Sequence, residues 1–281
     1  MIAAQIIAGL ESKTLMEDIF RRSSCEICGS SNLNEFASIG HRKIAACRKC
    51  GFVFSNEFNP QKISDNYASG QGTSKNGLEK DARIRADLIR TLARFRELSI
   101  NHKLLDVGAG TGEFVAALHE LYPALEIYSV QKTKRAQSLI KEKIGPKALI
   151  GTESADLENI DKQFDIITIL QTLEHLKQPQ KTLKILHELL KPGGMLFISV
   201  PNINSYQVLL RGIDNNYCFS NETHLQFYSK KSMSAMLLQA GFKRKKRVIS
   251  GRGNATGIGT TVQFALRLFS MSNELRYIAF K

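Results

Sequence analysis

The chain has 281 residues, of which 43% are hydrophobic and 23% are charged, an ordinary balance for a globular protein with one sizeable core and a small appended module. No apolar run reaches the roughly 20 residues that cross a bilayer, so we expect no transmembrane segment. The first ten residues are apolar but lack the basic n-region of a signal peptide, so a secretory leader is not expected either.

The net charge of +13 favours a negatively charged partner, such as a nucleic acid, a phosphate-bearing small molecule or a membrane surface. The densest basic run is Lys243–Arg247. A solvated basic face explains the same charge without any partner, because net charge by itself reports on solubility and non-specific binding. The charge therefore leaves the partner open.

Four of the five cysteines form two C-x-x-C pairs, Cys25 with Cys28 and Cys47 with Cys50, separated by eighteen residues. A glycine follows each pair, as in the tight knuckles of zinc sites, and four thiolates complete a tetrahedral coordination sphere. We therefore predict a structural Zn²⁺ in a zinc-ribbon-like module within residues 1–56; a catalytic zinc would need an open position. Cysteines paired in this way indicate a reducing compartment, so we expect a cytoplasmic protein.

Residues 57–78 are polar and rich in glycine, serine and asparagine, so we predict a linker or a substrate-covering loop there. Helical periodicity begins near Leu78, with Ile84, Leu88 and Leu92 on one face. Much later, the apolar segment Val262–Met271 is predicted to be a lid helix packed on the domain, or alternatively a membrane-surface or dimer contact.

In residues 79–281, short apolar strands alternate with helical patterns, which predicts one mainly parallel sheet. The expected strands are Lys103–Val107, Leu125–Val130, Lys147–Ile150, Phe164–Ile169, Met195–Val200, Val248–Ser250 and Leu275–Phe280. The last two come late and are separated by an insertion, which suits antiparallel pairing at one edge. The predicted fold class is α/β: a Rossmann-like, seven-stranded, mainly parallel sheet with helices on both faces.

The stretch Leu104–Phe114 joins a buried strand to a helix through three glycines at alternate positions, Gly108, Gly110 and Gly112. Glycine adopts positive φ and permits close backbone approach at low cost, so this turn suits a bound ligand. The strand, turn and helix together predict the ligand-facing corner of a doubly wound α/β sheet.

These motifs resemble those of the class I S-adenosylmethionine-dependent methyltransferases, in the same order and over roughly residues 80–281. The matching stretches are Leu105–Gly112, Phe164–Ile167, Leu173–Leu176, Leu190–Gly194 and His224–Ser229, followed by Gly241 and Phe242. The cysteine pairs ahead of them resemble the zinc-binding domain that precedes some sugar C-methyltransferases and their relatives. The order of motifs is specific for the superfamily and not for a substrate.

The resemblance implies S-adenosylmethionine as cofactor and a set of residues that bind it. The glycine turn would hold the methionine moiety, and Asp106 would receive its ammonium group directly or through water. The implied contacts are Asp106, Gly108, Ala109, Gly110, Gly112, Gln131, Asp156 and Leu170. Gln131 departs from the family, which usually has Asp or Glu there for the ribose hydroxyls. We therefore expect weaker cofactor binding, a rearranged ribose site, or a relic that has lost the cofactor.

Methyl transfer needs the acceptor aligned with the methyl group, and often a base that removes a proton from the acceptor. Histidine titrates in the right range. His224 is the first candidate, because similar sugar C-methyltransferases have a catalytic histidine in this position, and His175 is the second. Asn221 replaces the tyrosine that precedes the family's histidine by three residues, which argues against a carbon-acid substrate.

Three functions remain open on the sequence. The leading one is methyl transfer to a small molecule, with a nucleotide-linked or polysaccharide-precursor sugar as the expected acceptor. Methylation of RNA or another nucleic acid is disfavoured, because the chain lacks an aromatic-interleaved basic motif. A methyltransferase fold that only binds a partner is the third, and Gln131 motivates it. The sequence leaves the oligomeric state undetermined.

Overall fold

The computed structural model of the protein describes residues 19–68, 82–99, 101–151, 154–213, 216–248 and 271–281. Residues 262–270 of the apolar segment interpreted above as a lid or a contact surface lie outside the described residues. Within the described ranges, no helix combines the length and the apolar content that crossing a membrane requires.

The N-terminal part forms a small antiparallel sheet in the order β1-β4-β3-β2. Its strands are β1 (Phe20–Arg21), β2 (Leu33–Ile39), β3 (Arg42–Cys47) and β4 (Val53–Phe58). The two cysteine knuckles follow β1 and β3, so chain segments remote in sequence bring four thiols to one end of this sheet.

A helix, α1 (Pro60–Ala68), occupies part of the segment predicted as a loop, so that prediction was wrong for these residues. The side-chain Oδ1 of Asn59 accepts hydrogen bonds from the backbone N–H groups of Gln61 at 2.8 Å and Lys62 at 3.1 Å. This is an N-cap, and Pro60 fits the first helical turn because it has no N–H to satisfy. The polar composition of the segment obscured this start signal.

The second sheet has seven strands in the order β11-β12-β9-β8-β5-β6-β7, which confirms the predicted fold class. β5 to β9 run parallel, and β12 and β11 add antiparallel at one edge. The bounds are β5 (Lys103–Val107), β6 (Glu126–Val130), β7 (Leu149–Gly151), β8 (Phe164–Leu170), β9 (Leu190–Pro201), β11 (Arg244–Arg247) and β12 (Glu274–Phe280).

Helices cover both faces of this sheet, as successive residues of β8 show. Ile166 packs in a cluster with Leu88 and Leu118, whereas Ile167 packs with Leu186 and Met236 in another. A strand buried on both faces needs a mainly apolar sequence, and five of the seven residues of β8 are apolar. The helices are α2 (Ala82–Phe95), α3 (Glu113–Leu121), α4 (Lys134–Ile144), α5 (Pro179–Leu189), α6 (Tyr206–Arg211), α7 (Tyr217–Ser220) and α8 (Lys230–Gln239).

The penultimate strand was predicted at Val248–Ser250, but the structure places it at Arg244–Arg247, within the basic run. Among the described strands, β11 pairs with β12 alone, so it is an edge strand there, with Arg244 and Lys246 exposed. The guanidinium of Arg244 lies 5.1 Å from the ring centroid of Phe280, and the ammonium of Lys246 lies 5.5 Å from that of Phe95. Position at the sheet edge overrides the low β-propensity of lysine.

The two sheets are joined through a short strand, β10 (Gln226–Phe227), which pairs antiparallel with β4 of the N-terminal sheet. The segment before it, residues 216–225, carries His224 and runs along the carboxyl edge of the large sheet: the backbone N–H of Leu225 donates to the carbonyl of Glu174 at 2.8 Å. The N-terminal sheet therefore lies beside the edge where α/β sheets bind ligands.

Candidate active site

The glycine turn after β5 has the predicted geometry. Gly108, Gly110 and Gly112 have φ values of +78°, +54° and +79°, in the left-handed region that favours glycine. The N–H of Gly108 donates to the carbonyl of Val130 at 2.8 Å, which ties the turn to the end of β6. A Cβ on Gly108 would collide with the side chain of Thr172, and one on Gly112 would lie 2.9 Å from Cγ1 of Ile140.

Asp106 is the penultimate residue of β5, and its side chain is buried beside the turn. Its Oδ1 accepts a hydrogen bond from Oγ1 of Thr168, the neighbouring residue on β8, at 2.5 Å. That bond fixes the carboxylate at the centre of the sheet, next to the carboxyl ends of β5 and β8. A buried carboxylate held in this way can receive a cationic group from a ligand.

Gln131 follows β6 and reaches the same turn from the other side. Its Nε2 donates to the carbonyl of Gly110 at 2.8 Å, and its Oε1 accepts from the N–H of Lys132 at 2.7 Å. A carboxylate cannot donate to the Gly110 carbonyl, so the acidic residue usual in the family could not make this hydrogen bond. The amide thus supports the turn directly.

Asp156 and Leu170 complete the set of predicted cofactor contacts at this edge. Asp156 lies in the 3₁₀ turn Ser154–Asn159, and its Cβ comes within 3.1 Å of a Cβ built on Gly151 at the end of β7. Leu170 is the last residue of β8. The structure therefore gathers the glycine turn, Asp106, Gln131 and these two residues at the carboxyl ends of four adjacent strands.

Gln171, directly after β8, has φ of +49°, a left-handed conformation in a non-glycine residue. Its N–H donates to the carbonyl of Ser199 at 2.9 Å, which holds the turn in place. Backbone strain of about 1–3 kcal/mol of this kind collects at functional sites. The sequence analysis missed Gln171 and Thr172, because neither residue type signals a positive φ or a close approach to glycine.

The two candidate catalytic histidines meet, although they come from different segments. His175 ends the 3₁₀ turn Leu173–His175 after β8, and His224 lies just before β10. Their ring centroids are 4.8 Å apart at an interplanar angle of 61°. Each Nδ1 donates to a backbone carbonyl, that of Thr223 for His175 at 3.0 Å and that of Cys218 for His224 at 2.8 Å. In each neutral ring the lone pair is therefore on Nε2.

In His224, the side-chain amide of Asn221 donates a hydrogen bond to the lone pair on Nε2. The backbone N–H of Thr223 donates to Oδ1 of Asn221 at 3.1 Å, which orients the amide. Its Nδ2 then donates to Nε2 of His224 and to the hydroxyl oxygen of Tyr217, each at 3.1 Å. Asn221 therefore caps the nitrogen of His224 that would act as a base.

Burial shifts the protonation of the histidine pair and of the adjacent Glu174. It lowers the pKa of His175 to about 4 and raises the pKa of Glu174 to about 8, so both groups are neutral at pH 7. Burial, with smaller effects from His175 and Arg42, holds the pKa of His224 well below its usual range. Nε2 of His175 lies 3.9 Å from Oε1 of Glu174, and neither carboxyl oxygen of Glu174 has a hydrogen-bond partner in the described part of the chain.

A cavity of about 330 Å³ opens beside the segment that carries Asn221. The residues around it are all polar: Asn66, Tyr217, Ser220, Asn221, Glu222 and Thr223. Thr223 connects the cavity to the histidine pair, since its carbonyl accepts the hydrogen bond of His175. A larger groove, of about 690 Å³, lies beside the residues that precede β8 and β9, at the amino ends of these strands.

The four cysteines form a second candidate site. Their Sγ atoms lie within 4.8 Å of one another, with Cys25 to Cys50 and Cys28 to Cys47 each at 3.5 Å. A tetrahedral zinc with Zn–S bonds of about 2.3 Å requires sulfur separations of roughly 3.8 Å, so the four thiols fit that ion. Burial opposes ionisation of Cys47, but the backbone N–H of Cys50 and the Cys28 thiol outweigh it and lower its pKa to about 7.

Comparison with known proteins identifies relatives of this arrangement. A family model described as a methyltransferase domain matches residues 79–245, more than half of the chain. The ubiquinone biosynthesis O-methyltransferase of Coxiella burnetii is 33% identical over 121 residues, which cover 42% of this chain and 51% of that protein. That of Pseudomonas putida is 31% identical over 103 residues, covering 37% and 36%. The chain thus spans about half the length, or less, of these relatives.

Two solved structures share the fold. The methyltransferase in complex with the Haloferax volcanii Trm112 activator matches with a TM-score of 0.56 and 15% identity, over 78% of this chain and 97% of that one. The plantazolicin methyltransferase BamL, in complex with a desmethylPZN analogue and SAH, matches with a TM-score of 0.54 and 17% identity, over 79% and 90%. At these identities the likeness shows the fold alone.

Proposed function

Since the chain belongs to the methyltransferase domain family, we propose that it transfers a methyl group from S-adenosylmethionine to a hydroxyl oxygen of a small polyhydroxylated molecule, such as a nucleotide-linked or polysaccharide-precursor sugar. The observation that carries this proposal is the His175–His224 pair: His175 lies three residues after Thr172, which contacts Gly108, and it hydrogen-bonds to Thr223 of the polar cavity. When bound, the cofactor supplies the methyl group as a sulfonium.

The chain's own residues would hold the cofactor at the carboxyl edge of the sheet. Gly108, Ala109, Gly110 and Gly112 allow it close to the backbone, and Asp106 offers a buried carboxylate to its ammonium group. Gln131 would meet the ribose with one donor and one acceptor. Asp156 would meet the adenine from beside the end of β7, and Leu170 would contact the cofactor from the end of β8.

The lining of the cavity favours a polyhydroxylated acceptor. Amide, hydroxyl and carboxyl groups from six residues offer donors and acceptors around about 330 Å³, near the lower end of the usual size range for ligand sites. An apolar acceptor would displace water from these groups without replacing the hydrogen bonds of that water, at a cost in free energy. The net charge of +13 is compatible with phosphates on such a sugar.

Of the two histidines, we assign removal of the hydroxyl proton to His175, because its side chain is partly exposed whereas His224 is buried. Nε2 of His224 accepts from Asn221, so His224 would need that amide to move first. His175 has its lone pair on Nε2, with the Thr223 carbonyl fixing the tautomer. A proton taken by Nε2 would lie on a nitrogen 3.9 Å from Oε1 of Glu174, and the partial negative charge of that oxygen favours the imidazolium.

The four cysteines would hold a structural Zn²⁺ that stabilises the N-terminal sheet, because this small sheet buries too little apolar surface to fold alone. With four thiolates the ion has no open position, so it takes no part in methyl transfer. Thiolate ligands are maintained in a reducing compartment, which is why we propose a cytoplasmic location.

A radiolabelled methyl-transfer assay with S-adenosylmethionine tests the acceptor. Nucleotide-linked sugars, a catechol and total RNA would be offered separately, with products identified by mass spectrometry. The catechol is included because the curated relatives are named ubiquinone biosynthesis O-methyltransferases. Label on a sugar hydroxyl supports the proposal. Label on the catechol or on RNA alone would overturn the acceptor class, and label on none of them, despite cofactor binding, would overturn the proposed function.

A further inference from the structure

Arg42 opens β3 in the N-terminal sheet, yet its side chain belongs to the surroundings of the histidine pair. It is 1% exposed. Its Nη1 donates to the carbonyl of His224 at 2.5 Å, and its Nη2 donates to the carbonyl of Phe219 at 2.6 Å. One guanidinium therefore fixes both ends of the turn 219–224, which contains Asn221.

The same turn is held by further contacts with the N-terminal sheet. Phe36 of β2 stacks on Phe219 with ring centroids 5.8 Å apart. The N–H of Ser55 in β4 donates to the carbonyl of Leu225 at 2.8 Å, where β4 begins to pair with β10. Apolar packing and strand pairing thus locate the turn, while the guanidinium sets the direction of its carbonyls.

A buried arginine is a costly way to achieve packing alone. Among the residues described, Arg42 forms no salt bridge, and burial lowers its pKa to about 10 although the charge of Glu222 acts in the opposite direction. An apolar side chain of similar length would fill the same space without desolvating a charge. An apolar side chain, however, has no planar guanidinium that could donate hydrogen bonds to two carbonyl oxygens at once.

We propose that Arg42 is a positioning residue: it holds the 219–224 turn so that Asn221 and His224 keep His175 in register with the acceptor. This inference rests on the proposed function above. The carbonyl of Cys218, which accepts from Nδ1 of His224, immediately precedes the clamped carbonyl of Phe219. We call the two hydrogen bonds from Arg42 to the carbonyls of Phe219 and His224 the clamp. Loss of the clamp releases the bonds from the His224 ring to Asn221 and to the Cys218 carbonyl.

The clamp also gives the N-terminal sheet a part in the reaction. β3 begins at Arg42 and ends at Cys47, one of the four clustered cysteines. A strand held at its far end by the cysteine cluster provides a rigid base for the guanidinium. The N-terminal sheet thereby becomes one support of the catalytic turn and not a separate appendage.

The test compares Arg42→Lys and Arg42→Met with the exposed control Arg21→Lys, which lies in the same sheet and pairs with Glu57. Lysine keeps the charge but loses the fork. We expect Arg42→Lys to fold, to bind S-adenosylmethionine within about twofold of the wild-type Kd, and to lose about 100-fold in kcat with little change in acceptor KM, because misplacement of a reacting group acts on turnover. Arg21→Lys should match the wild type in all three.

A second measurement needs no acceptor. Nitrogen-15 NMR of the imidazole rings should show His224 as a single Nδ1–H tautomer in the wild type and as a mixture in Arg42→Lys, with His187 unchanged as an internal control. If the acceptor assay fails for the wild type, this measurement alone decides. An unchanged His224 tautomer in Arg42→Lys would overturn the proposal, and so would unchanged kcat. Failure of Arg42→Lys to fold, or equal loss of cofactor binding, would assign Arg42 to general stability and would also overturn it.

Discussion

Thr172 lies directly against Gly108, so closely that the space for a Cβ on the glycine is filled by the threonine side chain. The contact joins the turn after β5 to the turn after β8, the two central strands of the large sheet. Because a doubly wound sheet binds its ligand at this edge, the width of the crevice depends on how closely these turns approach.

Gly108→Ala should abolish cofactor binding. Alanine at φ of +78° costs about 1–2 kcal/mol, and its Cβ would also push Thr172 out of the crevice. Gly193→Ala is the matched control, since Gly193 has φ of +72° with nothing within 4 Å of a built Cβ. Calorimetry with S-adenosylhomocysteine should show no heat for the first variant and wild-type affinity for the second. Equal affinities would contradict a role for the turn in binding.

Gln131→Glu should tighten cofactor binding by roughly tenfold while lowering stability. The carboxylate would make charge-assisted hydrogen bonds to the ribose hydroxyls, worth about 1.5–3 kcal/mol, but it would lose the bond to the Gly110 carbonyl, worth about 1 kcal/mol. Gln131→Ala loses the contacts with the ribose as well as the bond to the Gly110 carbonyl, so it should bind the cofactor more weakly than the wild type. The Kd of all three, measured by calorimetry, checks the order; weaker binding by Gln131→Glu would mean that support of the turn dominates.

His175→Ala should reduce kcat by about 10²- to 10⁴-fold, as expected for loss of a general base, with an unchanged Kd for the cofactor. His224→Ala should reduce kcat less, because its Nε2 is occupied by Asn221. His187→Ala serves as the control, since His187 packs against Phe242 away from the pair. A larger loss in His224→Ala than in His175→Ala would reverse our assignment of the base.

Glu174 should make the protein less stable as pH rises from 6.5 to 8. Its pKa is raised by burial to about 8, against about 4.3 in an unfolded chain, so the folded state keeps a proton that the unfolded state has lost. The stabilisation is complete below the unfolded pKa and is lost as pH rises through the folded one, at up to about 1.4 kcal/mol per pH unit.

His175 acts in the opposite sense, and only at lower pH. Its pKa is lowered by burial to about 4, so below pH of about 6.5 the unfolded state takes up the extra proton and stability falls on acidification. Urea unfolding of the wild type and Glu174→Gln between pH 6.5 and 8 isolates the carboxyl group. The unfolding free energy of the wild type minus that of Glu174→Gln should fall steadily as pH rises. A difference that does not change with pH would show that Glu174 is already ionised.

Cys47→Ser should remove a bound zinc and destabilise the N-terminal sheet. Metal analysis of the wild type should give about one zinc per chain, as four thiolate ligands require. Cys218→Ala, which alters the one cysteine outside the cluster, should retain it. Loss of about 3 kcal/mol would lower the unfolding temperature by roughly 5–10 °C. A wild-type protein that folds fully without metal would refute the zinc site.

Local chemistry accounts for the features that the sequence specified. Glycine permits the positive φ values found at positions 108, 110 and 112, and the two C-x-x-C pairs each place two thiols on one knuckle. The mainly apolar sequence of β8 specified a buried strand. The positions of β11 and α1 were not specified as clearly, because edge exposure and an Asn59 N-cap outweighed composition there.

The arrangement around the histidine pair depended on tertiary structure. Arg42 and His224 are 182 positions apart, and no periodicity or motif links a residue at the start of an N-terminal strand to a carbonyl in a late turn. The capping of His224 by Asn221 and the neutral state of Glu174 also arise only once burial has removed water from these groups. Sequence alone therefore determined the fold, the glycine turn and the cysteine pairs, whose requirements are local. The hydrogen bonds and protonation states around the histidine pair depend on chain segments that meet only after the two sheets have packed.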